Sequence, residues 1–241
     1  MNTNCYADPM RAAAYARLQF PGTYLLAFRD MAAIIAQHVS GLDALDFGCG
    51  AGRSTRFLRN LGFSTLGIDN APEMIAQARE LDPQGEYRLV DGDDLSGIAR
   101  SAYDLVLAAF PFDNIPTAHR KRMLLEQLRD RLRPGGRIIN LVSRPAIYVN
   151  EWASFTTKDF PENQQARSGD RVRIVMKDVD DPRPVEDVLW SDDDYRRVYQ
   201  SAGLEPVAVS CPLASGQEPV RWVSETRIAP WCIYVLGTSA R

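Results

Sequence analysis

From Leu42 onward the chain alternates two patterns. Short apolar runs give way to longer stretches whose apolar residues recur every three or four positions. DALDF (43–47), STLGID (64–69), YRLV (87–90), DLVLAAF (104–110) and RIINLVS (137–143) read as strands. Residues 53–61, 72–81 and 117–132 read as amphipathic helices. Gly62 ends the first helix, Pro72 opens the second, and Pro134-Gly135-Gly136 stops the third. Strands that alternate with helices need crossover connections, so the pattern predicts an α/β fold with a mostly parallel sheet.

The flanks break this rhythm. Two helical stretches come first, AAAYARL and YLLAFRDMAAIIAQHV, with a sharp turn predicted at Pro21-Gly22. Residues 144–190 are rich in Pro, Asp and Trp and hold one clear strand, VRIVMKDV. The alternation then returns. Ser191 and Asp194 suit a capping box for a helix over 192–202, and Gly203 suits its stop. EPVAVS and WCIYVLG read as the last strands. We read 1–241 as a single domain. It comprises an N-terminal helical cover (1–41), a cofactor half (42–143), a substrate-side insertion (144–190), and a C-terminal helix and strands completing the sheet (191–241). An irregular connection as long as the insertion is usually functional.

The chemistry concentrates in LDFGCGAGRST, residues 45–55. Three glycines after a strand and before a helix let the backbone bend and approach a ligand closely. The dinucleotide fingerprint G-x-G-x-x-G fails here, because Arg53 or Thr55 stands where its third glycine is needed. A phosphate loop fails too, because no lysine follows.

LDFGCGAG resembles the first motif of class I S-adenosylmethionine (SAM)-dependent methyltransferases. GIDNAPEMIAQAR, YRLVDGDDL and LRPGGRII resemble later segments of that family, in the family's order, over roughly 42–143. The resemblance is to the small-molecule type. It implies a Rossmann-like, mostly parallel seven-stranded sheet with helices on both faces. It also implies SAM as cofactor. Asp46, Gly48, Cys49 and Gly50 would form the turn around the amino-acid end, with Asp46 near the ammonium. Asp69 would take both ribose hydroxyls, beside Asn70 and Met74. Asp93 would meet the adenine amino group, with Gly92 beside it and the Asp94 or Leu95 amide on a ring nitrogen. Ala109 and Phe110, after the fourth strand, would face the methyl group. We expect Cys49 to be a packed small residue, since no basic partner lowers its pKa.

The acceptor is less legible. AAFPFDNIPTAH departs from the Asn/Asp-Pro-Pro-Tyr/Phe signature of methyltransferases acting on planar amino groups of bases and glutamine. Asp113 and His119 are the candidate general bases there, and capping or a solvent-facing helix turn are their plain alternatives. Tyr15, Tyr24, Trp152, Trp222, Glu225 and Arg227 are candidate acceptor walls, because aromatics beside a few charges suit a small, partly apolar molecule. Core packing is the alternative for each Trp.

Bulk properties narrow this further. The net charge is −3 and the pI about 5.5, which argues against a nucleic-acid partner. Four scattered cysteines and two histidines predict neither a metal site nor a disulfide scaffold. No apolar run reaches membrane-spanning length, so we expect a cytoplasmic protein with no membrane partner. The N-terminal helices are a candidate homodimer contact. The leading expectation is methyl transfer to an O or N atom of a small metabolite or natural product. Two alternatives stay open: non-canonical use of SAM on the same fold, and a non-catalytic SAM-binding module.

Overall fold

A computed structural model describes residues 22–181 and 183–239. Seven strands form the central sheet. In chain order they are β1 (Asp43–Phe47), β2 (Ser64–Asp69), β3 (Glu86–Leu89), β4 (Tyr103–Ala109), β5 (Leu132–Ser143), β9 (Leu204–Ser210) and β10 (Trp231–Thr238). Their spatial order is β3-β2-β1-β4-β5-β10-β9. The first five pair in parallel, and β10 runs antiparallel to both β5 and β9. This is the sheet that the strand–helix alternation predicts.

Period-two alternation places apolar residues on both faces. On β10, Trp231, Ile233 and Val235 join one buried cluster, while Cys232, Tyr234 and Leu236 join the other. On β4, Leu105 and Leu107 face the first, Val106 and Ala108 the second. Helices α5 (Ala118–Arg129) and α6 (Asp192–Ser201) bury Leu124, Leu125, Leu128, Tyr195 and Tyr199 against the second cluster. The first is covered by the N-terminal helices and the insertion.

Helix boundaries follow local chemistry. α3 (Arg53–Asn60) follows Gly52, and α4 (Pro72–Leu81) opens on its proline. Thr117 caps α5, its hydroxyl accepting from the Arg120 amide at 3.2 Å. At α6 the Ser191 hydroxyl accepts from the Asp194 amide at 3.2 Å. The reciprocal arm of the capping box is absent: the Ser191 amide donates instead to Ser168 Oγ at 2.9 Å. Gly203 follows α6 at φ +71.

Three expectations need correction. YLLAFRDMAAIIAQHV is two helices, α1 (Tyr24–Phe28) and α2 (Met31–His38), broken at Arg29-Asp30. β5 starts at Leu132, ahead of the Pro-Gly-Gly run, with a register irregularity against β4. The insertion holds three strands rather than one. β6 (Phe155–Thr156), β7 (Arg171–Met176) and β8 (Val185–Val188) form a small antiparallel sheet. Among the described residues no helix is long and apolar enough to cross a membrane.

Candidate active site

The strand order reverses at β1, whose neighbours β2 and β4 connect in opposite directions. The carboxyl ends of these strands therefore border a crevice, where open α/β sheets bind ligands. A cleft of about 300 Å³ lies there. Gly48, Gly50, Asp69, Asn70, Met74, Gly92, Asp93, Ala109 and Phe110 all line it.

The glycine turn is held from behind. The Gly48 and Cys49 amides donate to the Ile68 carbonyl at 2.9 and 3.0 Å, and the Gly50 amide to Asp69 Oδ2 at 2.8 Å. These amides fasten the turn to β2 instead of pointing at a ligand. Gly48 has φ +69, and a Cβ there would lie 2.5 Å from Pro111 Cβ. Only glycine lets the turns after β1 and β4 pack this closely.

Asp69 sits at the tip of β2. Its other oxygen accepts from the Ala71 amide at 2.9 Å. Burial raises its pKa, opposed by the amides of Ala71, Gly50 and Asn70. Each oxygen keeps further acceptor capacity, which a ribose diol can use. Asp46 lies deeper and is fully buried. It accepts from the Ser54 and Thr55 hydroxyls at 2.7 and 2.6 Å, anchoring the first turn of α3. Burial pushes its pKa up to about 6. Its Oδ1 has no hydrogen-bond partner among the described residues, and the residue does not line the cleft.

Around the adenine end the geometry differs from expectation. The Asp94 amide donates to the Asp91 carbonyl at 3.0 Å and the Leu95 amide to Gln127 Oε1 at 3.1 Å. Both amides are thus occupied, and neither residue lines the cleft. The Asp93 carboxylate is gripped in two-point fashion by Arg120 Nε (2.7 Å) and Nη2 (2.8 Å). Arg120 lines the cleft from α5. Nothing local in the sequence marks it, because its partner lies 27 residues away. Cys49 is buried outside the cleft, its thiol pushed up by burial.

On the other side of Phe110 lies an inner chamber of about 40 Å³. Phe110, Asn114 and Asp187 line both spaces. Phe110 takes the left-handed conformation, φ +72, a cost of the kind that collects at functional sites. Its ring stands 4.8 Å from Trp231 and 6.1 Å from Tyr24, centroid to centroid. Tyr24 in turn stacks on Trp231 at 5.7 Å and contacts Phe155 at 5.2 Å.

Two carboxylates face this aromatic chamber. Asp113 is buried and accepts from the Ser143 amide at 3.0 Å and the Tyr195 hydroxyl at 3.3 Å. Asp187, on β8, accepts from the Tyr148 hydroxyl at 3.1 Å. Burial raises both pKa values, and their mutual repulsion raises that of Asp187 further. Fully buried Lys121 adds an opposing charge. Its ammonium donates to the Phe112 carbonyl and stands 4.9 Å from the Trp190 ring centre. Burial lowers its pKa. Sequence reading missed Asp187, although a signal existed: period two puts it on the same face of VEDV as buried Val185.

Other expected acceptor residues lie elsewhere. His119 is exposed on the first turn of α5. Trp152 is fully buried, its indole donating to the Ile147 carbonyl at 2.8 Å. Glu225 is fully buried as a clasp. It accepts from Thr23 Oγ1 and the Ala153 amide, both at 2.7 Å, and from the Val223 and Ser224 amides at 2.8 and 3.0 Å. Trp222 donates to Glu218 at 3.2 Å, and Arg227 is exposed. None of these five lines the cleft or chamber. Tyr15 lies outside the described residues.

Residues 44–136 match the family model described as a methyltransferase domain. The chain is 26% identical over 147 residues to a ubiquinone biosynthesis O-methyltransferase of Xanthomonas euvesicatoria pv. vesicatoria, covering 58% of this chain and 55% of that protein. It spans about half the length of the curated relatives it first matches. Its fold matches the CcbJ methyltransferase of Streptomyces caelestis with TM-score 0.68 and 18% identity, over 97% of this chain and 98% of that one. An S-adenosylmethionine-dependent methyltransferase from Mesorhizobium loti matches with TM-score 0.62 and 20% identity, over 89% and 99%. The glycine turn and the acidic tip of β2 thus lie in a segment that matches a methyltransferase domain, and the chain has the fold of SAM-dependent methyltransferases.

Proposed function

We propose that this protein transfers a methyl group from SAM to an O or N atom of a small-molecule acceptor. The single observation that carries this reading is the juxtaposition of two spaces: the cofactor cleft and a chamber lined by rings and carboxylates share Phe110, Asn114 and Asp187 as common walls. A binding module needs only the cleft.

The residues present fit SAM. Asp69 offers acceptor oxygens for a diol, and Ile68, Met74, Val90 and Leu124 offer apolar wall for a nucleobase. Neither needs a phosphate-binding lysine. When bound, SAM supplies a methyl carbon made electrophilic by its sulfonium, whose carbon–sulfur electron pair leaves with sulfur. The protein aligns the acceptor, excludes water and, where the acceptor arrives protonated, removes a proton. Asp113 and Asp187 are the carboxylates available for that last task.

The test is incubation with methyl-labelled SAM and a metabolite pool, read by mass spectrometry. Labelled product with stoichiometric S-adenosylhomocysteine supports methyl transfer. Binding of S-adenosylhomocysteine with no labelled product from any pool favours the module.

A further inference from the structure

We propose that the acceptor group entering the inner chamber is a protonated amine, with Asp187 receiving its proton. This rests on the methyl-transfer reading and names the acceptor class for the same site.

Size comes first. The chamber, at about 40 Å³, admits a head group of roughly three non-hydrogen atoms by the volume one water needs. A catechol or other aromatic ring does not fit beside Phe110, Phe155, Trp231 and Tyr24, whose own rings already contact one another. A primary or secondary amine on an alkyl stem does.

Charge then selects among small heads. Asp113 and Asp187 face the chamber, and Lys121 is the buried cation near them. Burial pushes Asp187 up to about 8 and Lys121 down to about 7, so the fully ionised group, with one net negative charge, is the state that an entering cation stabilises. An ammonium cancels that charge; a hydroxyl does not. The repulsion from Asp113 that raises Asp187 is relieved by a cation between them. Ring faces add cation–π attraction, which desolvation strengthens. A carboxylate acceptor would add a third negative charge to the same space.

The geometry also divides the labour. Asp113 is tied down by the Ser143 amide and the Tyr195 hydroxyl, so it acts as a fixed counter-charge. Asp187 has the Tyr148 hydroxyl as its side-chain hydrogen-bond donor, and it borders both chamber and cleft. The ammonium hands one proton to the Asp187 carboxylate, giving a neutral amine and a carboxylic acid. The freed lone pair is the nucleophile. Tyr148, Lys121 and the neighbouring Glu186 are the other polar groups acting on Asp187.

The experiment is calorimetry on the protein saturated with S-adenosylhomocysteine, titrated with n-butylammonium chloride and, separately, n-butanol. The amine should bind at least tenfold more tightly than the alcohol. Asp187→Asn, with folding checked by its melting transition, should lose tenfold or more of the amine affinity. Equal affinities, or no amine binding, overturn the amine assignment; an unchanged Asp187→Asn overturns the role of that residue. Should Asp187→Asn not fold, the wild-type contrast between amine and alcohol decides alone. Failure of S-adenosylhomocysteine itself to bind refutes the methyl-transfer reading, which separates the two failures.

Discussion

Half-buried Asp69 and fully buried Asp46 both stand near the glycine turn, yet their tasks differ. Asp69 lines the cleft and holds the turn through Gly50. Asp69→Ala should weaken S-adenosylhomocysteine binding by ~1.5–3 kcal/mol, the scale of a hydrogen bond to a charged group, read by calorimetry on the folded variant. Asp46 organises α3 through two hydroxyls. Its folded pKa of about 6 exceeds the ordinary 3.8, so the native state binds this proton more tightly. Its stabilising contribution is complete below the ordinary value and is lost as pH rises toward 6. Asp46→Asn lacks this dependence. Its unfolding free energy relative to wild type should therefore rise by about 2–3 kcal/mol between pH 4 and pH 7, measured by urea denaturation at both. A flat difference would remove the assigned burial effect. Asp46 was legible as a residue that matters, but its direction was not, because a strand-end acid can face a ligand or a helix.

At the scale of elements, the turn after β1 is decided by fit. Gly48→Ala must adopt φ +69 and place Cβ 2.5 Å from Pro111. The left-handed conformation alone costs ~1–2 kcal/mol, and the contact adds to it. We expect a loss of at least ~2 kcal/mol in urea unfolding, with weaker S-adenosylhomocysteine binding, because the turns after β1 and β4 are forced apart. The strands and helices around it were readable from periodicity and stop residues, and α4 spans the predicted 72–81. The insertion was less readable. β6 is two residues long and β8 four, too short for alternation to stand out from loop composition.

At the scale of the molecule, Glu225 joins three parts distant in sequence: the entry to α1, the insertion and the C-terminal segment. Glu225→Ala leaves buried donors unmet, each costing ~1–3 kcal/mol, and should destabilise the protein by roughly 3–5 kcal/mol. Hydrogen exchange should show the loss concentrated around Thr23, Ala153 and Val223 rather than in β1, β2 and β4. Uniform loss would mean that the clasp and the sheet unfold as one unit.

The sequence by itself determined the sheet class and the position of the glycine turn, and its motifs carried the resemblance to SAM-dependent methyltransferases. The first two rest on short-range rules: periodicity along a strand and the steric freedom of glycine. The acceptor chamber was decided only by tertiary structure. Tyr24, Phe110, Phe155, Asp187 and Trp231 are separated by many tens of residues and meet because the N-terminal helices, insertion and last strand fold over one sheet face. Spacing cannot reveal which of several aromatics and acids will converge there. That depends on how separate elements pack, as Trp152 and Glu225 show by turning into the core.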